Sequence, residues 1–294
     1  MRDEVNRHYP FTGRTLDLDG LSYHYLDEGA GEPVVMVHGN PSWSFYYRNL
    51  VLALRDRYRC IVPDHIGCGF SDKPGDDRYD YTLSRRIDDL ERLIDSLNLE
   101  GKINLVVHDW GGMIGMGYAS RHPERIGRIV ILNTGAFHLP KEKTFPLGLK
   151  ICRDTLLGTL LVRGFNAFSV GASIVGCKKN PMSHELMQAY RAPYDSWANR
   201  IATLRFVQDI PLAAGDRTYA LVSEIADGLP RFAETPMAIF WGELDFVFDT
   251  TFLTEWKRRF PKAEVHSYPD AGHYILEDMK DEVVPLIADF LKRT

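Results

Sequence analysis

Several features that mark whole classes of protein are scarce or missing in this chain. Its four cysteines, Cys60, Cys68, Cys152 and Cys177, form no C-x-x-C pair and no zinc-ligand spacing. At 294 residues the chain is long enough to bury a core without disulfide staples. The cysteines read as reduced thiols, which predicts a cytoplasmic protein. The opening MRDEVNRHYP has no apolar h-region, so no export signal is expected. The most apolar stretch, 147–176, is broken by Lys150, Arg153, Asp154 and Arg163, and falls short of the roughly eighteen uninterrupted residues of a membrane span. No membrane insertion is expected. Blocks of like charge are missing too, and a formal net charge of −5 leaves no electrostatic footprint for nucleic acid or an anionic lipid surface. The expected partner is a small neutral or apolar molecule. There is no internal repeat and no low-complexity tract. What remains, 45% hydrophobic and 26% charged, suits one large globular domain or a core domain with an inserted lobe.

Short apolar, β-branched runs recur along the chain: PVVMVH (33–38), YRCIVP (58–63), NLVVH (104–108), RIVILN (128–133), AIFW (238–241) and EVHSY (264–268). Runs without polar alternation fit strands buried on both faces of a parallel sheet. Between them lie helical periods such as 82–99, where Leu83, Ile87, Leu90, Leu93, Ile94 and Leu97 line one face. The alternation predicts an α/β sheet wound on both sides. It stops after Asn133 and resumes near Pro236, leaving a mostly helical stretch. We therefore expect a core in two parts, 1–134 and 214–294, with a helical cap at 135–213. The cap is too rich in aromatic and aliphatic residues to bury them alone, and is expected to lie over the carboxyl edge of the sheet, where open α/β sheets bind ligands.

Residues 106–115, VVHDWGGMIG, run from a strand end through a glycine-rich turn into a helix. Such a turn usually presents serine in the pattern G-x-S-x-G; here it presents Asp109. Gly111, Gly112 and Gly115 give strand and helix room to approach, and the N–H groups opening the helix favour a negative charge there. An ionised carboxylate is a poor agent for hydrolysing esters or peptides. It is a competent nucleophile at saturated carbon bearing a leaving group, forming an ester that must later be cleared. The order nucleophile, acid, histidine is completed by Asp245 in WGELDFVF and His273 in DAGHYILED, with Asp249 in the same loop as a rival to Asp245. Asn40 in HGNPSW and Trp110 supply neutral N–H donors suited to a departing anion, and their backbone N–H groups form an expected oxyanion hole. His38, His108 and Asp64 read as structural, and Trp43, Phe45, Tyr46 and Tyr47 as packing residues. No metal and no cofactor is expected.

The segments HGNPSWSFYYRNL, VPDHIGCGFSDKP, VVHDWGGMIG and AGHYILED resemble the motifs of haloalkane dehalogenases within the α/β-hydrolase superfamily, and the likeness runs along the whole chain. The resemblance implies a mostly parallel eight-stranded sheet with helices on both faces and an inserted helical cap. It implies Asp109 as nucleophile, His273 as base, Asp245 as acid, and Asn40 with Trp110 as the leaving-group pair. A large branch of that family carries a catalytic glutamate where this chain has Asn133, which leaves the acid role to Asp245. The segments FNAFSVGAS (165–173), APYDSWANRI (192–201), LRFVQDIPL (204–212) and NTGAF (133–137) are similar to the dehalogenase-like β-lactone decarboxylases of bacterial olefin biosynthesis. That likeness implies a cis-dialkyl β-lactone losing CO2 to give an alkene, a carboxylate or halide anion held in the site, and room for a complex with other enzymes of olefin biosynthesis. Haloalkane hydrolysis is the alternative on the same residues. A non-catalytic receptor would need no filled triad. An epoxide hydrolase would need cap tyrosines as proton donors, for which Tyr190 and Tyr194 are the candidates.

Overall fold

A computed structural model of the chain describes Val5 and residues 7–293. Its centre is an eight-stranded sheet: β1 (Arg14–Asp17), β2 (Ser22–Glu28), β3 (Glu32–Val37), β4 (Tyr58–Pro63), β5 (Ile103–Asp109), β6 (Ile126–Thr134), β7 (Met237–Gly242) and β8 (Glu264–Tyr268). The strands lie in the order β1-β2-β4-β3-β5-β6-β7-β8. Pairings from β4 through β8 are parallel, and β1 and β2 join antiparallel at one edge. Parallel neighbours require crossovers, and the helices that make them cover both faces.

The reason the central strands read as nearly unbroken apolar runs is visible in the packing. Val35, Val37, Leu105, Val107, Ile129, Ile131, Ile239 and Trp241 point into one core. Their alternates Val34, Met36, Val106, Val130, Leu132, Ala238 and Phe240 point into the other. Successive side chains face opposite sides of a strand, so a sheet buried on both faces needs apolar residues at every position. Each of the six expected runs is a strand, within two residues at either end. The helix expected over 82–99 spans Leu83–Ser96, with Thr82 accepting the Arg85 N–H as its cap. Leu83, Ile87, Leu90, Leu93 and Ile94 are buried in the first core, while Leu97 lies just past the helix end and is partly buried.

Between Thr134 and Met237 the described chain contains no strand. The helices Leu147–Asp154, Ala167–Val175, His184–Arg191 and Ile201–Gln208 lie on the side of the sheet where β5, β6 and β7 end. Tyr219–Gly228 returns to the sheet and packs on the helix Trp110–Arg121 that follows β5. Among the described residues no single helix is long and apolar enough to cross a membrane.

Candidate active site

Asp109 closes β5 and stands immediately before the helix Trp110–Arg121. Its backbone is held at φ 52°, ψ −128°, a left-handed conformation that costs a non-glycine residue about 1–3 kcal/mol and persists only where the surroundings enforce it. The enforcement is steric as well as hydrogen-bonded. A Cβ added at Gly111 would lie 1.9 Å from the Val37 carbonyl oxygen, and one at Gly39 would lie 2.0 Å from the Asp109 carboxylate. The Thr134 hydroxyl donates to the Asp109 carbonyl oxygen.

The carboxylate occupies the cradle expected of an oxyanion. Asn40 N–H donates to Asp109 Oδ1 at 2.5 Å, and the Trp110 N–H also favours the charged form. Burial opposes them: it pushes the Asp109 carboxyl up to about 6, against the downward pull of His273 and of those two N–H groups. The group is therefore ionised above pH 6, by a narrower margin than the helix start alone implies.

His273, on the loop after β8, places Nε2 3.7 Å from Asp109 Oδ2 and Nδ1 2.6 Å from Asp245 Oδ2. A carboxylate in its ionised form only accepts, so Nδ1–H donates toward Asp245, and Nε2 faces Asp109, offering a lone pair when the ring is neutral. Burial pulls the His273 imidazole down, but Asp245 and Asp109 together hold it above the ordinary histidine value. Asp245 itself is fixed on both oxygens. Its Oδ1 accepts from the N–H groups of Val247 at 2.8 Å and Phe248 at 3.1 Å, and its Oδ2 accepts from Asn133 Nδ2 at 3.0 Å. Asp249 is elsewhere: it caps the helix Thr250–Arg259 through the Thr251 N–H and pairs with Lys143 at 2.6 Å.

The structure thus brings Asp109, His273, Asp245, Asn40 and Trp110 to one place. It also adds residues that the sequence reading did not assign. Asn133 bridges β6 to the acid loop, donating to the Gly242 carbonyl at 2.9 Å while accepting the Gly242 N–H at 2.8 Å. Its φ of 30° is one that asparagine tolerates better than most residues. Replacing Asn133 by alanine should destabilise the protein by about 1–3 kcal/mol, because it orphans buried partners and strains the backbone. Thermal or urea unfolding would measure this, and a cost near zero would contradict it. Thr203 and Phe206, from the helix Ile201–Gln208, reach the donor pair: the Thr203 carbonyl accepts from Asn40 Nδ2 at 3.1 Å, and the Phe206 ring lies 5.5 Å from that of Trp110. His108 is buried and neutral, bonded to the His273 carbonyl at 2.9 Å and stacked on Tyr46. His38 bonds the Gly39 carbonyl, Asp64 pairs with His24, and Trp43, Phe45, Tyr46 and Tyr47 are buried in the second core. These four aromatics do not line the site.

A cavity of about 530 Å³ opens above Asp109. Asp109, His273, Asn40 and Trp110 meet it at one end, and Met113, Leu149, Leu161, Phe168, Val207, Ile210, Phe248 and Phe252 wall much of the rest. His138 also lines it but is bonded to Ser223 at 2.7 Å. No tyrosine among the described residues lines this cavity: the Tyr190 hydroxyl donates to Glu277 and the Tyr194 hydroxyl to the Ser42 carbonyl. An alkoxide formed here would have no tyrosine proton donor, which counts against epoxide opening.

Residues 32–279 match the family described as alpha/beta hydrolase fold. The chain is 66% identical, over 97% of its length and 90% of the relative's, to a cis-3-alkyl-4-alkyloxetan-2-one decarboxylase from Shewanella oneidensis. It is 31% identical to haloalkane dehalogenase 2 of Mycobacterium bovis, over 96% of this chain and 95% of that one. Among solved structures, the haloalkane dehalogenase DatA from Agrobacterium tumefaciens superposes with a TM-score of 0.85 at 23% identity, covering 96% of each chain. An Asp-centred elbow on an eight-stranded α/β sheet, and these likenesses along nearly the full length, agree: the chain is an enzyme and belongs to the α/β-hydrolase fold family.

Proposed function

We propose that this enzyme decarboxylates a cis-3,4-dialkyl β-lactone to an alkene and CO2, with Asp109 as nucleophile, and that it works in the cytoplasm. The observation that carries the reading is the cavity: one charged end, built from Asp109, His273, Asn40 and Trp110, and walls that are almost wholly apolar. Two alkyl arms suit such walls, and the identity to the Shewanella decarboxylase supports the same substrate class. In the reaction, an Asp109 oxygen attacks the ring carbon bearing oxygen. The C–O ring bond breaks and leaves a free carboxylate, which the Trp110 indole and the Asn40 amide receive. The bond from that carboxylate to the neighbouring carbon then supplies the electrons of the double bond, releasing CO2 as the ester C–O bond to Asp109 breaks. No water is consumed and no net proton moves.

The second reading is haloalkane hydrolysis, favoured by the dehalogenase relative. Attack by Asp109 expels halide to the same two donors, and His273 then activates water to cleave the alkyl ester. Purified protein offered a cis-dialkyl β-lactone and a bromoalkane side by side distinguishes the two. Alkene and CO2 from the lactone support the first reading; alcohol and bromide alone would replace it with the second.

On either substrate, Trp110→Phe is expected to lower the rate by about 10²-fold, the usual scale for one preorganised donor. Bromide or iodide should quench the wild-type tryptophan fluorescence, and the variant should lose that response. Undiminished rates and quenching would exclude Trp110 from the anion site.

A further inference from the structure

The cap carries an apolar face that the described residues leave exposed. In the segments Leu156–Gly164 and Ala167–Val175, two helical arms meet at a 70° bend. One face is packed inward, with Gly158, Val162, Ser169 and Ser173 buried. The other presents Leu156 at 88% exposure, Leu157, Leu160, Phe165 at 70% and Ile174. Leu147, 72% exposed, adds to the exposed surface from the preceding helix. A large contiguous apolar surface on a folded protein marks an interaction site. Each arm has nine residues and is about 14 Å long, under half the length of a membrane span. The geometry is that of helices lying along an interface.

The charge around this face points to the partner. Although the chain as a whole is negative, residues 141–179 hold seven Lys and Arg against two Asp and Glu. Some are neutralised: Lys143 by Asp249, Arg153 by Asp154 and Asp216, and Lys179 by Asp270. Lys141, Lys150 and Lys178 are exposed and make no ion pair among the described residues. Lys150 stands one turn from Leu147 on the same helix. A second copy of the chain docking by this face would bring the same excess of cations to the interface. An anionic bilayer would attract them.

We propose that the outward face of this bent helical pair docks on an anionic lipid surface, with the exposed lysines meeting lipid phosphates and the leucines entering the acyl boundary. Val175 and Phe246 line the cavity and are also partly open to solvent, so docking seats the cavity mouth beside lipid. The value of that seating rests on the reading of the cavity as an alkyl-chain site; the docking does not.

The test is flotation of the full chain with phosphatidylcholine vesicles carrying about 30% phosphatidylglycerol, at low and high salt, without any substrate. The wild type should float with the anionic vesicles and do so about tenfold less with pure phosphatidylcholine or at high salt. The triple variant L156S/L157S/F165S, which leaves the cavity wall untouched, should lose about tenfold in binding while keeping the wild-type melting temperature. The charge variant K150E/K178E should lose the preference for phosphatidylglycerol. No flotation with anionic vesicles at low salt overturns the proposal, as does a triple variant that floats like the wild type. A dimer seen by sedimentation that the triple variant dissolves would assign the face to a second copy instead.

Discussion

Asp109→Ala is expected to lower turnover of β-lactone and haloalkane alike by about 10⁴-fold or more, the scale seen when a covalent nucleophile is removed. The size follows from the geometry. Among the described residues no other carboxylate lines the cavity; Asp245 is turned away, with both oxygens occupied by Val247, Phe248, Asn133 and His273. The N–H groups of Asn40 and Trp110 point at one position on a strained turn, and a water placed there is a far weaker nucleophile than a carboxylate. Product formation by purified, folded variant is the measurement, and activity near wild type would end the covalent reading. The same carboxylate predicts a pH profile. Only its ionised form attacks, and burial pushes it up to about 6, so lactone turnover, which needs no base, should fall as pH drops through about 6 rather than through the ordinary aspartate range near 4. A rate that is flat down to pH 5 would contradict this.

His273→Ala is expected to separate the two substrates. A haloalkane leaves Asp109 as an alkyl ester that only water removes, and the imidazole placed to activate that water is His273, with Nε2 beside Asp109 and Nδ1 held by Asp245. Haloalkane turnover should stop after one event, leaving an alkyl adduct on the peptide that holds Asp109, visible by mass spectrometry. The lactone needs no water: its ring-opened carboxylate collapses to CO2 and alkene and returns Asp109 to its starting state. Lactone turnover should therefore fall by a factor about 10²-fold smaller than haloalkane turnover, general-base catalysis being worth about that much. Equal losses on both substrates, or a stable lactone-derived adduct, would give His273 a part in the elimination itself.

The parts of this molecule that could be read from the chain are those whose cause is local. Strands buried on both faces must be apolar at nearly every position, so β3 to β7 announce themselves as runs, while β8, the far edge strand EVHSY, is mostly half-buried and carries polar residues. β1 and β2 do not announce themselves: RTLD is a largely exposed edge strand, and SYHYLDE mixes polar residues into its pairing with β4. The elbow was legible because a strand, a tight glycine turn and a helix leave a contiguous pattern around Asp109. Asp245 and its rival Asp249 lie four residues apart in one loop; what divides them is that Asn133 and the Val247 and Phe248 amides hold one against His273, while Lys143 and Thr251 hold the other away. Asn133 had registered only as a departure from a family pattern. Its bonds to Asp245 and Gly242 cross more than a hundred residues of chain, and no period or spacing encodes such a contact. The hydroxyls of Tyr190 and Tyr194 were hidden for the same reason: their partners, Glu277 and Ser42, are distant in sequence.

The bond from Asn40 to the Thr203 carbonyl has a consequence for how this scaffold diversifies. Lids over active sites are often treated as exchangeable modules that set substrate range while a fixed floor performs the chemistry. Here one short helix, Ile201–Gln208, does both: Val207 walls the cavity, Thr203 orients the amide of one anion donor, and Phe206 leans on the indole of the other. A change in that helix that reshapes the space for alkyl arms also re-aims the groups that receive the leaving anion. Substitutions in that helix are therefore expected to alter the space for alkyl arms and the aim of Asn40 and Trp110 together.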